Sequence, residues 1–173
     1  SFSYRKIQGL NPKLFHPDHK YRDWLRHLEV QVFSDEYSHV IRTDISDYYS
    51  RVYRHRLENI LQSLSSETKI VKKIEGLISD WRGRQSFGLP IGGNASRLLA
   101  EAALNDTDMG LISEDYHHTR YVDDIVIFVR RDQDPYAALA YLAKRLSENE
   151  GLSLSIQKTN ILTWEEFTSS VYE

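Results

Sequence analysis

Two stretches place carboxylates where chemistry can use them. Thr43-Asp44-Ile45-Ser46-Asp47-Tyr48-Tyr49 puts an aspartate at the end of a β-branched run, and Tyr121-Val122-Asp123-Asp124-Ile125-Val126 puts two adjacent aspartates between apolar runs. An Asp-Asp pair is by default an ordinary turn, because Asp suits turn backbones. Here the apolar runs on either side demand burial, so the turn sits at the edge of a core. Two like charges side by side repel, and a cation relieves the repulsion. Phosphoryl transfer uses such a cation: two Mg²⁺ ions about 3.5–4 Å apart stabilise both the attacking and the leaving oxygen. Mg²⁺ prefers hard oxygen donors and keeps several waters, so two or three carboxylates with substrate phosphates suffice. The candidate metal ligands are Asp44, Asp123 and Asp124, with the backbone carbonyl of Ile45. Strand alternation puts Asp123 and Asp124 on opposite faces, and Asp123 is expected to dominate. The expected ion is Mg²⁺, with Mn²⁺ as a substitute.

The elements around these residues follow from periodicity. Trp24, Leu25, Leu28 and Val32 fall at helical spacing from Tyr21 to about Phe33. His39 to Ile45 reads as a short buried strand. Leu57, Ile60, Leu61 and Leu64 make one helical stripe, and Ile70, Val71, Ile74, Leu77 and Ile78 a second. A glycine-rich turn runs from Gly83 to Gly93, after which Asn94 can cap a helix through Leu98, Leu99, Ala102 and Ala103. His117 to Val122 and Ile125 to Val129 read as strands joined at Asp123-Asp124 in a tight hairpin. Asp134-Pro135 opens another helix, ending near Gly151. Leu152 to Ile156 and Asn160 to Thr163 read as short strands. The expected fold is α+β, with helices packed on one face of an antiparallel sheet.

Composition narrows the function class. The chain has 173 residues, 40% hydrophobic and 12% aromatic, which suits one domain with a real core. The absence of cysteine excludes disulfides, thiolate metal sites and a cysteine nucleophile, and it fits a cytoplasmic setting. No apolar run approaches the ~20 residues a membrane helix needs. The net charge of -3 argues against a free-standing nucleic-acid binder, which is usually basic. A catalytic piece rich in carboxylates, with basic clamps elsewhere, escapes that argument. The chain does not begin with Met, which suggests a piece of something longer.

At these residues the chain resembles the reverse transcriptase family. Tyr121-Val122-Asp123-Asp124 is similar to that family's Tyr-x-Asp-Asp box, and Asp44 with an aromatic residue five positions on resembles its first metal motif. Gly88-Leu89-Pro90-Ile91-Gly92-Gly93-Asn94-Ala95-Ser96 resembles the turn-and-helix motif that contacts template and incoming nucleotide. Gln157-Lys158-Thr159 resembles the later motif whose lysine approaches the leaving pyrophosphate. Each box alone is weak evidence, and the ordered set is strong. The resemblance implies a polymerase palm, ferredoxin-like in its order of strands and helices, with fingers and thumb largely absent. Residues 1–38 would be a lead-in or partial fingers segment and 39–173 the palm. It implies RNA-directed DNA polymerase activity on deoxynucleotides and a nucleic-acid template and primer, with further domains of the same protein as partners and no membrane. The departures are Ile91, where many members carry Gln, and Ser96-Arg97, where a Ser-Pro pair is expected. Leu89-Pro90-Ile91-Gly92, with the lead-in residues Ser3-Tyr4-Arg5, Leu14-Phe15 and Trp24, is closest in wording to abortive-infection and other bacterial defence enzymes. A protein-primed or template-independent polymerase of that type, or a diversity-generating retroelement enzyme, remains an alternative.

The same resemblance suggests roles for other residues, each set against a plainer one. Tyr49 would be the steric gate against a ribose 2′-hydroxyl, leaving Tyr48 for the core. Arg5 would reach the triphosphate, where a permanently charged bidentate group is suited, unless it is simply a solvated terminal residue. Gly92 and Gly93 would offer backbone amides at a helix start, against a plain loop. Lys158 would donate a proton to pyrophosphate or stabilise its charge, against a surface lysine. Arg51, Arg54 and Arg56 could contact nucleic-acid phosphates, although a solvated helix face is the commoner meaning of such a cluster. Adjacent His117 and His118 point to opposite faces and read as structural. Glu101 receives no assignment. A nucleotide cyclase would share the carboxylates but need neither the gate nor the glycine turn. A non-catalytic scaffold should have lost an aspartate, and none is lost.

Overall fold

The computed structural model describes residues 1–3, 15–65, 67–82 and 86–171. In chain order the elements are α1 (Tyr21–Gln31), β1 (Tyr37–Asp44), α2 (Tyr48–Arg51), α3 (Arg54–Leu64), α4 (Thr68–Arg82), α5 (Asn94–Ala103) and α6 (Asn105–Ser113). The hairpin β2 (His117–Tyr121) and β3 (Asp124–Arg130) follows, then α7 (Pro135–Arg145), β4 (Asn160–Thr163) and α8 (Trp164–Val171). Among the described residues the strands form a four-stranded antiparallel sheet in the order β2-β3-β1-β4. With helices between β1 and β2 and between β3 and β4, this is the expected ferredoxin-like palm arrangement.

The central strands are apolar on both faces, and both faces are covered. Ile41, Ile125, Ile127 and Val129 pack with Leu57, Ile78, Leu99, Leu111 and Leu142 in the larger core. The alternate residues Val40, Val126 and Phe128 pack against Trp24 and Leu28 of α1 and Phe167 of α8 in a second cluster. The expectation of helices on one face is therefore met by α3 to α7 and extended by α1 and α8. The strand alternation requires the second layer, because Val40 and Phe128 would otherwise face water.

Local chemistry sets the boundaries. Asp134 caps α7, its Oδ1 accepting from the Tyr136 amide at 2.9 Å, with Pro135 at the first helical position. The helix finishes in a π-turn over Leu146–Glu150, and Gly151 ends it at φ 66°. Asn94 does not cap α5. Gly93 holds the cap position and Asn94 is the first helical residue, because Gly92 at φ 102° turns the chain one residue earlier than the side-chain pattern suggests.

Two strand expectations change. Only Leu154 of the segment 152–156 bridges to the sheet, opposite Ile45, and the chain then winds into a 3-10 turn over Ile156–Lys158. The Thr159 hydroxyl fixes that turn, donating to the Ser155 carbonyl at 2.7 Å. The hairpin tip is Val122-Asp123 rather than Asp123-Asp124, since Tyr121 pairs with Asp124. Val122 sits at φ 57°, a conformation that costs a β-branched residue about 1–3 kcal/mol.

Candidate active site

The β1–β3 register sets Asp44 directly opposite Asp124, and opposed residues of an antiparallel pair project from the same face. Asp123 lies at the adjacent tip, where its carbonyl accepts from the Ile45 amide at 3.2 Å. The Asp44 carbonyl accepts from the Ser155 amide at 2.7 Å. That bond brings the 3-10 turn alongside, and Lys158 Nζ donates to Asp44 Oδ2 at 3.0 Å. Three aspartates and one lysine from three separate segments thus converge at one end of the sheet.

Their electrostatics reflect that crowding. Burial raises the Asp123 carboxyl above its ordinary value, and the charges of Asp44 and Asp124 push the same way against its own backbone hydrogen bond. Burial also raises Asp124, reinforced by Asp44 and opposed by Lys158 and Arg42. The hydrogen bond to Asp44, and then its charge, hold Lys158 protonated. Among the described residues no group of three or more His, Cys, Asp or Glu closes into a ready-made cation cage. The donors nevertheless suit Mg²⁺. They are carboxylate oxygens, partly offset by Lys158 and Arg42, and Mg²⁺ takes its remaining positions from water and phosphate.

A cavity of about 460 Å³ opens beside Asp44 and Asp124, walled by Tyr21 and Trp24 of α1, by Arg42 and by Lys158. Burial raises the Tyr21 hydroxyl and the Asp124 charge adds to it. Arg42 and Tyr21 carry no role in the sequence pattern, and Trp24 figures there only in the helical stripe and the lead-in. Arg42 lies two positions before Asp44, so strand alternation alone puts it on the same face. The placement of α1 carries no comparable local signal.

Tyr48 and Tyr49 fall on the short helix α2 rather than a strand. Tyr48 is 2% exposed and its hydroxyl donates to the Ala100 carbonyl, while Tyr49 is half-buried against the core. The glycine turn lies beside them: the Leu89 amide donates to the Tyr49 carbonyl at 2.7 Å and the Gly88 amide to the Val52 carbonyl at 2.8 Å. Gly92 and Gly93 are exposed at the start of α5. The arginines of the cluster face carboxylates: Arg54 pairs with Glu58 at 3.2 Å, Arg56 with Asp106 at 2.9 Å and Glu150 at 3.3 Å, and the more exposed Arg51 with Asp47 at 3.7 Å. None of the three lines the cavity beside Asp44. His118 reaches Asp108 at 3.4 Å, while His117 hydrogen-bonds Tyr37 among the rings of the second cluster. Arg5 and the start of the glycine-rich turn, residues 83–85, lie outside the described residues.

Among the described residues, no helix is long and apolar enough to cross a membrane. No curated protein matches the chain. A family model described as reverse transcriptase (RNA-dependent DNA polymerase) matches residues 2–169, nearly the whole chain and every box described above. The chain belongs to the reverse transcriptase family, the nucleotidyltransferases that act as RNA-directed DNA polymerases.

Proposed function

We propose that this palm extends a DNA strand by two-metal phosphoryl transfer, with Asp44 and Asp123 as the principal ligands and Asp124 assisting. The observation that carries the proposal is the meeting of Asp44, Asp124 and the Asp123 tip at one sheet end, with Lys158 on Asp44. Divalent metal, when bound, would activate the attacking oxygen and stabilise the leaving one. The Ile45 carbonyl is a further candidate donor. Lys158 Nζ, released from Asp44 as substrate phosphates enter, would offer its proton to the departing pyrophosphate oxygen.

Tyr49 stands as the gate beneath the sugar, excluding a ribose 2′-hydroxyl. The exposed amides of Gly92 and Gly93 contact the incoming nucleotide or template, and Arg5 of the lead-in, within the 1–38 fingers segment, reaches the triphosphate. Arg51 is the best placed of the arginine cluster for nucleic-acid phosphate, because Arg54 and Arg56 are held in closer ion pairs. Asp123→Asn tests the metal assignment: deoxynucleotide incorporation should fall at least 1000-fold, and retention of more than a few per cent of activity would remove Asp123 from the ligand set. The wording Leu89-Pro90-Ile91-Gly92 supports a role in bacterial anti-phage defence. Host cells carrying the intact protein should then resist phage and lose that resistance with Asp123→Asn. Equal plaque counts with and without the protein would end that assignment.

A further inference from the structure

Beneath the hairpin tip lies a charged network that the chemistry above does not use. Arg120, on β2, is 2% exposed, and a buried guanidinium is retained only where its donors are matched. Its Nε and Nη2 form a fork on Asp108 of α6, at 3.0 and 2.7 Å, and Nη2 also faces Glu101 of α5 at 3.2 Å. Its remaining arm, Nη1, donates to the Val122 carbonyl at 2.7 Å. The Val122 amide donates to the Ser3 hydroxyl at 3.0 Å, and that hydroxyl in turn donates to Glu101. Side chains therefore grip both backbone polar groups of the one hairpin residue forced to positive φ, immediately before Asp123.

We propose that Arg120, anchored by Asp108 and Glu101, is a positioning residue that locks the Val122 backbone and thereby aims the Asp123 carboxylate at the metal. Glu101 belongs to α5, whose first residues follow Gly92 and Gly93. The network thus joins the turn assigned to nucleotide and template to the hairpin assigned to metal. The inference rests on the metal role given to Asp123 under the proposed function. It adds a cause for the carboxylate's orientation and makes the N-terminal Ser3 part of the same brace.

Arg120→Lys keeps the charge but cannot hold Asp108 in a fork and reach the Val122 carbonyl together. Glu101→Gln, at a less buried site, keeps the shape and removes the anchor's charge. In the intact protein both should fold, as read by circular dichroism and metal-free Tm. Both should bind Mn²⁺, measured by electron paramagnetic resonance without nucleotide, at least fivefold more weakly than wild type. The kcat for deoxynucleotide addition should fall at least tenfold while KM for the nucleotide stays within twofold. Val122→Gly, which adopts positive φ freely, should recover part of the Mn²⁺ affinity in the Arg120→Lys background. Unchanged Mn²⁺ affinity in folded Glu101→Gln would overturn the proposal. So would a loss of activity in either variant that merely tracks the unfolded fraction. If wild type binds Mn²⁺ but makes no DNA, the polymerase reading fails alone, and the Mn²⁺ comparison still decides the role of Arg120.

Discussion

Asp123 and Asp124 carry charges that the metal-free fold works against. Both carboxyls are raised by burial and by Asp44. A raised carboxyl pKa means that folding favours the protonated form. The contribution to stability is full below the unfolded value, near 3.9, and is lost as pH rises through the folded value. At neutral pH the metal-free protein therefore carries this repulsion, and Asp123→Asn should raise its Tm by about 2–4 °C, the equivalent of roughly 1 kcal/mol. A lower Tm would show that the carboxylates are balanced without metal. Asp108 has the opposite sign. Burial opposes its charge, but His118 and Arg120 outweigh that and hold it well below the ordinary range. Its stabilisation is full above the unfolded value and is lost only in strong acid, as pH falls through that depressed value. Tyr49→Ala should admit ribonucleotides at least tenfold more readily in a competition between ribo- and deoxynucleotides. An unchanged preference would end the gate assignment.

At the scale of elements, the turns do the positioning. Gly92 sits at φ 102° with nothing within 4 Å of where a Cβ would lie, so a substitution there meets strain rather than a clash. Gly92→Ala should cost about 1–2 kcal/mol by chemical denaturation and displace the start of α5. A neutral effect would mean that the turn relaxes freely. Pattern made much of this level legible. Short β-branched apolar runs marked β1 and β3, and Asp134-Pro135 marked the start of α7, because those signals lie within a few residues. The tip at Val122-Asp123 was not legible. Pairing between Tyr121 and Asp124 decides it, and that pairing forces a β-branched residue into a backbone it would not choose alone. The strand expected over 152–156 failed for a similar reason, since a single bridge at Leu154 and the Thr159 hydroxyl bond replace a ladder there. The roles of Arg120 and Glu101 were invisible because their partners lie on other elements.

At the scale of the molecule, the sheet is a floor covered on both sides, and one end of it gathers Asp44, Asp123, Asp124 and Lys158. Phe128 is fully buried in the second cluster between α1 and α8, and Phe128→Ala should cost about 3–5 kcal/mol. That loss would threaten the Tyr21 and Trp24 wall of the cavity together with the fold. The family's order of motifs was readable from sequence, because each box keeps its own local grammar. The docking of α1 and α8 on the second face was not legible: the expected fold covers one face, and only the unbroken apolar run Ile125-Val126-Ile127-Phe128-Val129 hints that both need cover. The central claim is that Asp44, Asp123 and Asp124 make this palm a templated polymerase. The most direct measurement incubates the intact protein with Mg²⁺ or Mn²⁺, an RNA template with its primer, and labelled deoxynucleotides, beside the double variant Asp123→Asn with Asp124→Asn. The account predicts metal-dependent product complementary to the template from wild type and none from the folded variant. Product of equal yield from both would contradict it.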